Sequence, residues 1–448
     1  MSELIVAKFG GTSVADFQAM SRCADIVLAD NRIRVVVVSA SAGVTNQLVA
    51  ISQHTELTER FSAYTEIERI TMAVLQALSH PEAVAAHVEV LLSELRQLIE
   101  QAGTVFSVQQ KDEILSFGER LSSVLFTQVL AERDAAVACF DSRLVLRTDS
   151  HFGKAEPQVD AIRALCQQQI KPLLGSERLV MQGFIGADAQ GQTTTLGRGG
   201  SDYSAALLGE ALDASVVQIW TDVVGIFTTD PRLTEQARCI REISFDEAAE
   251  MATFGAKVLH PATLLPAVRQ NIRVFVGSSR EPEAGGTWIA REVTERPAYR
   301  AIALRKSQTL ITVKSPAMLH AAGFLTRVFD VLSRHHISVD LVTTSEISVA
   351  LTLDEAPGSA FDSLTETAIE ELRLLGEVKV EHGLSLVAVI GNHLHSSRGI
   401  TGELFQALEG VNMRMICHGA SKHNLCFLVQ DADATPVVKQ LHQSLFTA

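Results

Sequence analysis

The stretch KFGGTSV, Lys8 to Val14, decides how the rest of the chain reads. It follows an apolar run from Leu4 to Val6 with strand character. It leads into a segment whose apolar residues Phe17, Met20, Ala24, Val27 and Leu28 recur at helical spacing. The order is strand, glycine turn, helix. Two adjacent glycines remove the side chains that would hold a ligand off the backbone, and amides at a helix N-terminus carry partial positive charge. With Lys8 beside it, such a turn suits an anion, although an ordinary tight turn has the same composition. The chain has no GxxxxGK[ST] loop, no GxGxxG and no HRD or DFG. A phosphate site here is therefore of another kind.

Bulk properties narrow the field. The 448 residues predict about three domains, and 47% hydrophobic with 20% charged residues describes a globular chain. A formal charge of -14 speaks against a nucleic-acid partner, which calls for a basic face. The start, MSELIVAKF, lacks a basic n-region, and no later run approaches the roughly 18 apolar residues of a membrane span. The expectation is a cytoplasmic protein without a membrane partner. The six cysteines, Cys23, Cys139, Cys166, Cys239, Cys417 and Cys426, show no CxxC pair, which favours buried free thiols over disulfides or a zinc site.

Ile33 to Val38 (IRVVVV) reads as a strand covered on both faces, and SASAGVTN (Ser39 to Asn46) follows it. Small hydroxyl residues at the end of a buried strand are where α/β sheets bind ligands, and a plain strand-to-helix turn looks similar. Thr65 to Gln101 is helical with a break near His80-Pro81, and Glu113 to Leu130 is helical again, with Glu119 among small residues. A lone glutamate on a helix usually faces solvent. Strands are predicted at Ala136 to Phe140 and Leu179 to Ile185, followed by a polar turn.

TTTLGRGGSD (Thr193 to Asp202) then opens into a helix over Tyr203 to Ala211. Ser201 or Asp202 can cap that helix. Arg198 among glycines suits bidentate capture of a carboxylate or phosphate. Val216 to Trp220 reads as a buried strand ending in TDVVGIFTTDPR (Thr221 to Arg232). A helix from Phe245 is predicted to carry FGAKVLHPAT (Phe254 to Thr263), with Lys257 available as a second cation, and a final strand, Ile272 to Gly277, closes the region. Alternating strands and helices to about residue 295 predict an α/β unit, a mainly parallel sheet with helices on both faces.

The C-terminal part is a repeat. Residues 310 to 354 slide onto 386 to 430 at a constant offset of 76, aligning Gly323 with Gly399, Phe329 with Phe405, Ser345 with Ser421 and Leu351 with Phe427. Each copy reads strand, glycine turn, helix, strand, strand, so two small α+β modules lie in tandem, each completed by a further helix. Asp340 and Glu346 in the first copy face Ile416 and Lys422 in the second. Only the first copy offers carboxylates to a cationic small molecule, unless both acids are solvated surface.

KFGGTSV, TTTLGRGGSD, TDVVGIFTTDPR and FGAKVLHPAT, in this order, resemble the signatures of the aspartokinase family, and the tandem repeat is similar to its paired ACT domains. The likeness covers essentially the whole chain and is greatest to the lysine-sensitive, monofunctional bacterial branch. No dinucleotide fingerprint precedes Ala448, so no homoserine dehydrogenase activity is expected. The resemblance implies an amino-acid-kinase fold over residues 1–295. It implies an effector-binding ACT module over 296–385 and a second over 386–448, completed by the strand near 299–306. It also implies transfer of the ATP γ-phosphoryl group to the side-chain carboxylate of L-aspartate.

By motif match, Lys8 neutralises the transferring phosphoryl oxygens, the amides of Gly10 and Gly11 hold phosphate, and Asp202 orients the lysine. Arg198 clamps a substrate carboxylate and Glu119 takes the amino group, with Ser39, Thr45 and Ser201 adding contacts. Thr221, Asp222, Phe227, Asp230, Arg232, Lys257 and Val258 line the nucleotide site, and Mg²⁺ enters through the phosphates. Phe227 stands where the family pattern has Tyr. The implied lysine effector site comprises Met318, Phe324, Leu325, Ser338, Val339, Asp340, Ser345 and Glu346, with Ala321 and Ala322 departing from a polar Ser-Arg. ACT pairing across subunits implies a homodimer, with association beyond the dimer left open. Another amino-acid kinase, or an inactive amino-acid sensor, are the competing readings.

Overall fold

A parallel sheet needs strands buried on both faces, and the β-branched runs of this chain supply them. In the computed structural model, which describes residues 3–101, 103–133, 136–255, 261–353 and 364–446, the strands of the first unit are as follows. They are β1 (Ile5–Phe9), β2 (Ile33–Val38), β3 (Val137–Phe140), β4 (Arg178–Gln182), β5 (Ile185–Ala187), β6 (Thr193–Thr195), β7 (Val216–Thr221), β8 (Glu242–Ser244), β9 (Arg273–Ser278) and β10 (Gly286–Ala290). Eight form one sheet in the order β3-β4-β2-β1-β7-β9-β10-β8, and β5 and β6 form a separate hairpin. From β3 to β9 neighbouring strands run parallel, and β10 turns antiparallel to β9.

β1 is buried at all five positions. Its odd residues, Ile5, Ala7 and Phe9, join a core with helices Phe17–Ala29, Val44–Gln53, Leu57–Ala77 and Val108–Ala131. Strand alternation sends Val6 and Lys8 to the other face, where helix Gly200–Ala211 packs. The register pairs Phe9 with both Val38 and Trp220, and Val38 with Gln182. Because the strands are parallel, the residues after β1, β2, β4 and β7 all emerge at one edge.

Three details differ from the sequence reading. The strand predicted to Ile185 ends at Gln182, because Phe184 takes a left-handed φ of 68° and Ile185 begins the hairpin. The helix predicted through FGAKVLHPAT ends at Thr253, followed by Gly255 at φ 100°, and a new helix runs Pro261–Gln270. Ile272 to Gly277 does not close the sheet, since β10 and β8 extend it.

The chain divides into two compact units, one of Met1–Ile226, Cys239–Ala249 and Lys257–Thr294, the other of Phe227–Arg238, Glu250–Ala256 and Glu295–Ala448. The second is built on β11 (Tyr299–Lys314), β12 (Val339–Thr344), β13 (Ser348–Leu353), β14 (Glu377–Gly391), β15 (Met415–His418) and β16 (Asn424–Gln430). They form an antiparallel sheet ordered β12-β13-β11-β14-β16-β15. β11 and β14 each serve two cores, changing register near Ser307 (φ 59°) and Gly383 (φ 70°). Leu310–Lys314 of β11 pairs with β13, whereas Tyr299–Arg305 pairs with the stretch of β14 that also binds β16. The repeat offset is exact at the helix starts: Phe324–Arg334 and Ile400–Ala407 follow Gly323 and Gly399, both left-handed at φ 81° and 85°. Among the described residues no helix is long and apolar enough to cross a membrane, and all six cysteines are free, with Cys23, Cys166 and Cys426 buried.

The first unit also buries Arg60 away from the sheet edge. Arg60 is 2% exposed, donates to the carbonyls of His54, Gly103 and Thr104 at 2.8 Å each, and lies over the Phe106 ring at 4.3 Å. Arg60→Met keeps the length and removes every donor. Since Gly103 and Thr104 are exposed and can turn to water, the expected loss is about 2 kcal/mol. It is read as a lower midpoint of thermal or urea unfolding; an unshifted midpoint would contradict this account.

Candidate active site

The glycine turn after β1 is held from both sides. The Gly10 amide donates to the Trp220 carbonyl at 2.9 Å, and a Cβ on Gly11 would lie 2.8 Å from the Ala40 carbonyl, so only glycine fits there. Of the two amides expected to hold phosphate, that of Gly10 is therefore committed to β7. The Gly11 amide keeps no acceptor among the described residues. Beneath the turn the Ser13 and Ser279 hydroxyls bond at 2.6 Å, tying it to the end of β9.

Lys8 is 8% exposed and its Nζ lies 2.6 Å from Asp202 Oδ1. Asp202 sits in the first turn of helix Gly200–Ala211, whose N-cap is Gly199 at φ 73° with no side-chain cap. The capping role open to Asp202 is not the one it takes; its carboxylate meets the lysine. Ser201 packs where a Cβ on Gly183 would come within 2.6 Å of the Ser201 Cβ, which locks this helix start against the end of β4. Arg198 is exposed between Gly197 and Gly199, both left-handed at φ 74° and 73°.

Glu119 is buried, at 5% exposure, on helix Val108–Ala131. Burial pushes its carboxyl up to about 8, outweighing the Ala40 amide that donates to it and the Lys8 charge. A carboxylate so placed lacks a partner cation of its own strength, the condition under which a ligand ammonium would be held firmly. Gly118 permits the approach, because a Cβ there would lie 2.6 Å from that of Ala40. Ser39 begins beyond β2, donating its amide to Phe9 at 3.1 Å and accepting the Ser122 hydroxyl at 2.8 Å, while Thr45 is exposed on the first turn of helix Val44–Gln53. Lys8, Gly11, Ser39, Glu119, Ser201 and Asp202 are thus gathered in the first unit by one sheet edge and two helices.

Asp112 was not singled out in the sequence, where it lies in a polar QQKDE run. It is 1% exposed and accepts the amides of Gly153 and Thr195 and the Thr195 hydroxyl, each at 2.9 Å. It binds the helix that carries Glu119 to the strand that leads into the Arg198 loop. Burial raises its pKa in spite of these donors. No motif marks it.

Thr221 ends β7 and Asp222 follows it, the threonine hydroxyl donating to Asp222 at 3.2 Å. Phe227, Asp230 and Arg232 belong to the second unit, where Asp230 caps a turn by accepting the Arg232 amide at 2.9 Å and its guanidinium at 2.6 Å. Lys257 and Val258 lie outside the described residues. Among the described residues no group of three or more His, Cys, Asp or Glu side chains is disposed to hold a metal ion.

Of the residues read as an effector site, Phe324 is in the core, with Met318 and Val339 packed against it. Leu325, Ser338, Ser345 and Glu346 are exposed. Asp340 is not a bare carboxylate: it is ion-paired with Arg305 of β11. Ser345 and Ser348 bond at 2.7 Å across the β12–β13 turn.

A sequence model of the amino acid kinase family matches residues 3–278, and one of the ACT domain matches residues 387–445. Lysine-sensitive aspartokinase 3 of Escherichia coli K12 is 54% identical over 448 residues, covering all of both chains. A chloroplastic aspartokinase 1 of Arabidopsis thaliana is 34% identical over 98% of this chain and 80% of that protein. Among solved structures, E. coli aspartokinase III with aspartate and ADP in the R-state superposes with a TM-score of 0.90 at 54% identity, covering 99% of this chain and 100% of that one. The same enzyme with lysine and aspartate in the T-state gives 0.87 at 55% identity over the same shares. With the kinase model spanning most of the chain and full-length identity above half, the chain belongs to the aspartokinases of the amino acid kinase family.

Proposed function

We propose that this aspartokinase transfers the γ-phosphoryl group of ATP to the β-carboxylate of L-aspartate, giving 4-phospho-L-aspartate. This is the entry step to lysine, threonine and methionine, and L-lysine inhibits it. The observation that carries the chemistry is the Lys8–Asp202 contact at 2.6 Å beside the glycine turn, with a buried Glu119 of raised pKa facing the same edge.

An aspartate side chain has a reference pKa of about 3.9, so the nucleophile is ionised at neutral pH and needs no general base. Asp202 is accordingly the partner that fixes Lys8, and Lys8 meets the charge on the transferring oxygens. The Gly11 amide is the backbone donor available to phosphate. Arg198 clamps a carboxylate of the acceptor and Glu119 its ammonium, with Ser39, Thr45 and Ser201 completing the contacts. Holding the two charged ends of one small molecule aligns its β-carboxylate with the phosphate. Thr221, Asp222, Phe227, Asp230, Arg232, Lys257 and Val258 take the nucleotide. Bound Mg²⁺ would supply neutralisation of the phosphate charge, with no cluster of protein ligands for it among the described residues.

The first α+β module binds lysine through Asp340 and Glu346. Because Asp340 is already paired, the effector ammonium competes with Arg305 for it. Inhibition requires tighter lysine binding in the inactive arrangement than in the active one. The protein works in the cytoplasm as a homodimer joined through its ACT modules.

ATP consumption with L-aspartate, with the acyl phosphate trapped by hydroxylamine, tests the reading directly. Aspartate-dependent turnover suppressed by lysine, and not by threonine or methionine, is the expected result. Turnover indifferent to lysine would overturn the effector assignment, and no aspartate-dependent turnover would overturn the whole. Lys8→Ala should lower kcat by roughly 10²–10³-fold, as removal of a charge-stabilising donor does.

Glu119 has to lose its proton before it can accept the substrate ammonium. kcat/KM for aspartate should therefore rise with pH up to about 8 and flatten beyond it, and Glu119→Gln should abolish this limb while raising KM. The linkage to stability has the opposite sense. A carboxyl whose folded pKa is raised favours the folded state most below its ordinary value of 4.5 and loses that advantage as pH climbs through about 8. Glu119→Gln should thus narrow the gap between the unfolding midpoints at pH 6 and pH 9. A pH profile identical to that of the parent would refute the assignment.

A further inference from the structure

The two stretches of chain that group with the second unit, Phe227–Arg238 and Glu250–Ala256, contain or run up to the residues assigned above to the nucleotide. Each is gripped by side chains of the second α+β module. In the first stretch the Thr228 carbonyl accepts the Ile302 amide of β11 at 2.7 Å. The Thr228 hydroxyl accepts the Arg238 amide at 3.0 Å and pairs with Nε2 of His442 at 2.9 Å. His442 lies on the terminal helix Asp431–Phe446, is 1% exposed, and stacks on Phe446 at 4.8 Å. Its Nδ1 has no partner among the described residues. Burial, and after it the Arg238 charge, hold this histidine below the usual range, so it is neutral.

A half-satisfied imidazole is an expensive filler on a face otherwise made of Ala434, Val437, Val438 and Leu441. An apolar side chain would pack there without the unmet nitrogen. What histidine adds is the bond to Thr228.

The second stretch is held similarly. Glu250 accepts the Ser421 hydroxyl on one oxygen and the Asn424 amide on the other, the latter at 2.7 Å. Ser421 and Asn424 occupy the turn that corresponds, at the offset of 76, to Ser345 and Ser348 of the first copy. There, among the described residues, the two serines bond across their own turn, and Asp340 and Glu346 stand where the second copy has Ile416 and Lys422. In the second copy the hairpin lacks those acids and holds Glu250 instead.

We propose that the second α+β module positions the nucleotide-binding segments, with His442 on Thr228 and Ser421 with Asn424 on Glu250 as two locks that set affinity for ATP. None of the five is a catalytic residue; they act through the positions of the two segments. The proposal rests on the assignment of Phe227, Asp230 and Arg232 to the nucleotide.

In the full-length enzyme, KM for ATP, KM for aspartate and calorimetric binding of Mg-ADP are compared for His442→Phe, His442→Gln, Thr228→Val, Glu250→Gln and the pair H442F/T228V. Loss of one buried hydrogen bond predicts an increase of about 5–10-fold in ATP KM and ADP Kd. Aspartate KM should stay within about twofold, and the double variant should be no worse than the worse single one, as expected for two ends of one bond. Gln can place an amide near the position of Nε2, so His442→Gln should restore most of the affinity that His442→Phe loses.

Equal shifts in both KM values, additive effects in the double variant, or unchanged ADP affinity in variants with parental circular dichroism would overturn the proposal. Phe227→Ala and Arg232→Ala read the underlying assignment separately. Undiminished ADP affinity in both removes that assignment and this proposal with it; diminished affinity there, with none in the His442 and Thr228 variants, removes the proposal alone.

Discussion

A parallel sheet ends all its strands at one edge, and that constraint gathers the candidate site from positions far apart in the chain. The turn after β1, Ser39 after β2, Gly183 after β4 and Thr221 at the end of β7 are neighbours because Phe9 registers with Val38 and Trp220, and Val38 with Gln182. Alternation along β1 does the rest. With Ile5, Ala7 and Phe9 facing one helical layer, Lys8 must face the other, where helix Gly200–Ala211 brings Asp202 to within 2.6 Å. A slip of one residue in β1 would bury Lys8 in the apolar layer without a partner, which costs several kcal/mol.

The electrostatics of that edge follow from its burial. Lys8 is balanced by Asp202, whereas Glu119, equally buried, has two backbone amides, those of Ala40 and its own residue, and the Lys8 charge for company, and burial still raises its carboxyl to about 8. The site therefore holds one neutralised cation, the one proposed for phosphate, and one carboxyl that becomes an anion at the cost of desolvation unless a ligand cation arrives. This is the polarity needed to hold a zwitterionic acceptor with its ammonium at Glu119 and its carboxylates towards Arg198. The close contacts that forbid side chains at Gly11, Gly118 and Gly183 are what bring these groups near enough to matter.

How much of this could be seen in the sequence depended on whether the signal was local. IRVVVV announced its strand because a continuous β-branched run fits a doubly covered position, and the repeat offset of 76 located both left-handed glycines, Gly323 and Gly399, to the residue. Phe184 and Gly255 broke a predicted strand and a predicted helix, since a left-handed φ is invisible in composition. Glu119 and Asp112 are both single acids on one helix. Nothing in spacing distinguishes the carboxyl that faces the site from the one that ties Thr195 and Gly153, and only the family resemblance singled out the former. The partnership of Thr228 with His442, 214 positions apart, and that of Asp340 with Arg305 required the fold itself.

The second unit also shows where a regulatory signal would have to act. Asp340 belongs to β12 and its partner Arg305 to β11, so an ammonium that takes over Asp340 releases a guanidinium from the strand that joins the two modules. The backbone at Arg305 lies against Gly255, whose added Cβ would stand 3.4 Å from the Arg305 Cβ, and Ile302, three residues earlier, bonds Thr228. One strand thus touches the acid proposed for the effector and both segments proposed for the nucleotide. Exchange of the partner of Asp340 is a differential interaction of the kind coupling requires, provided it differs between the two arrangements. By the same linkage, a lysine ligand that weakened nucleotide binding through this strand would itself be weakened by nucleotide, by the same factor.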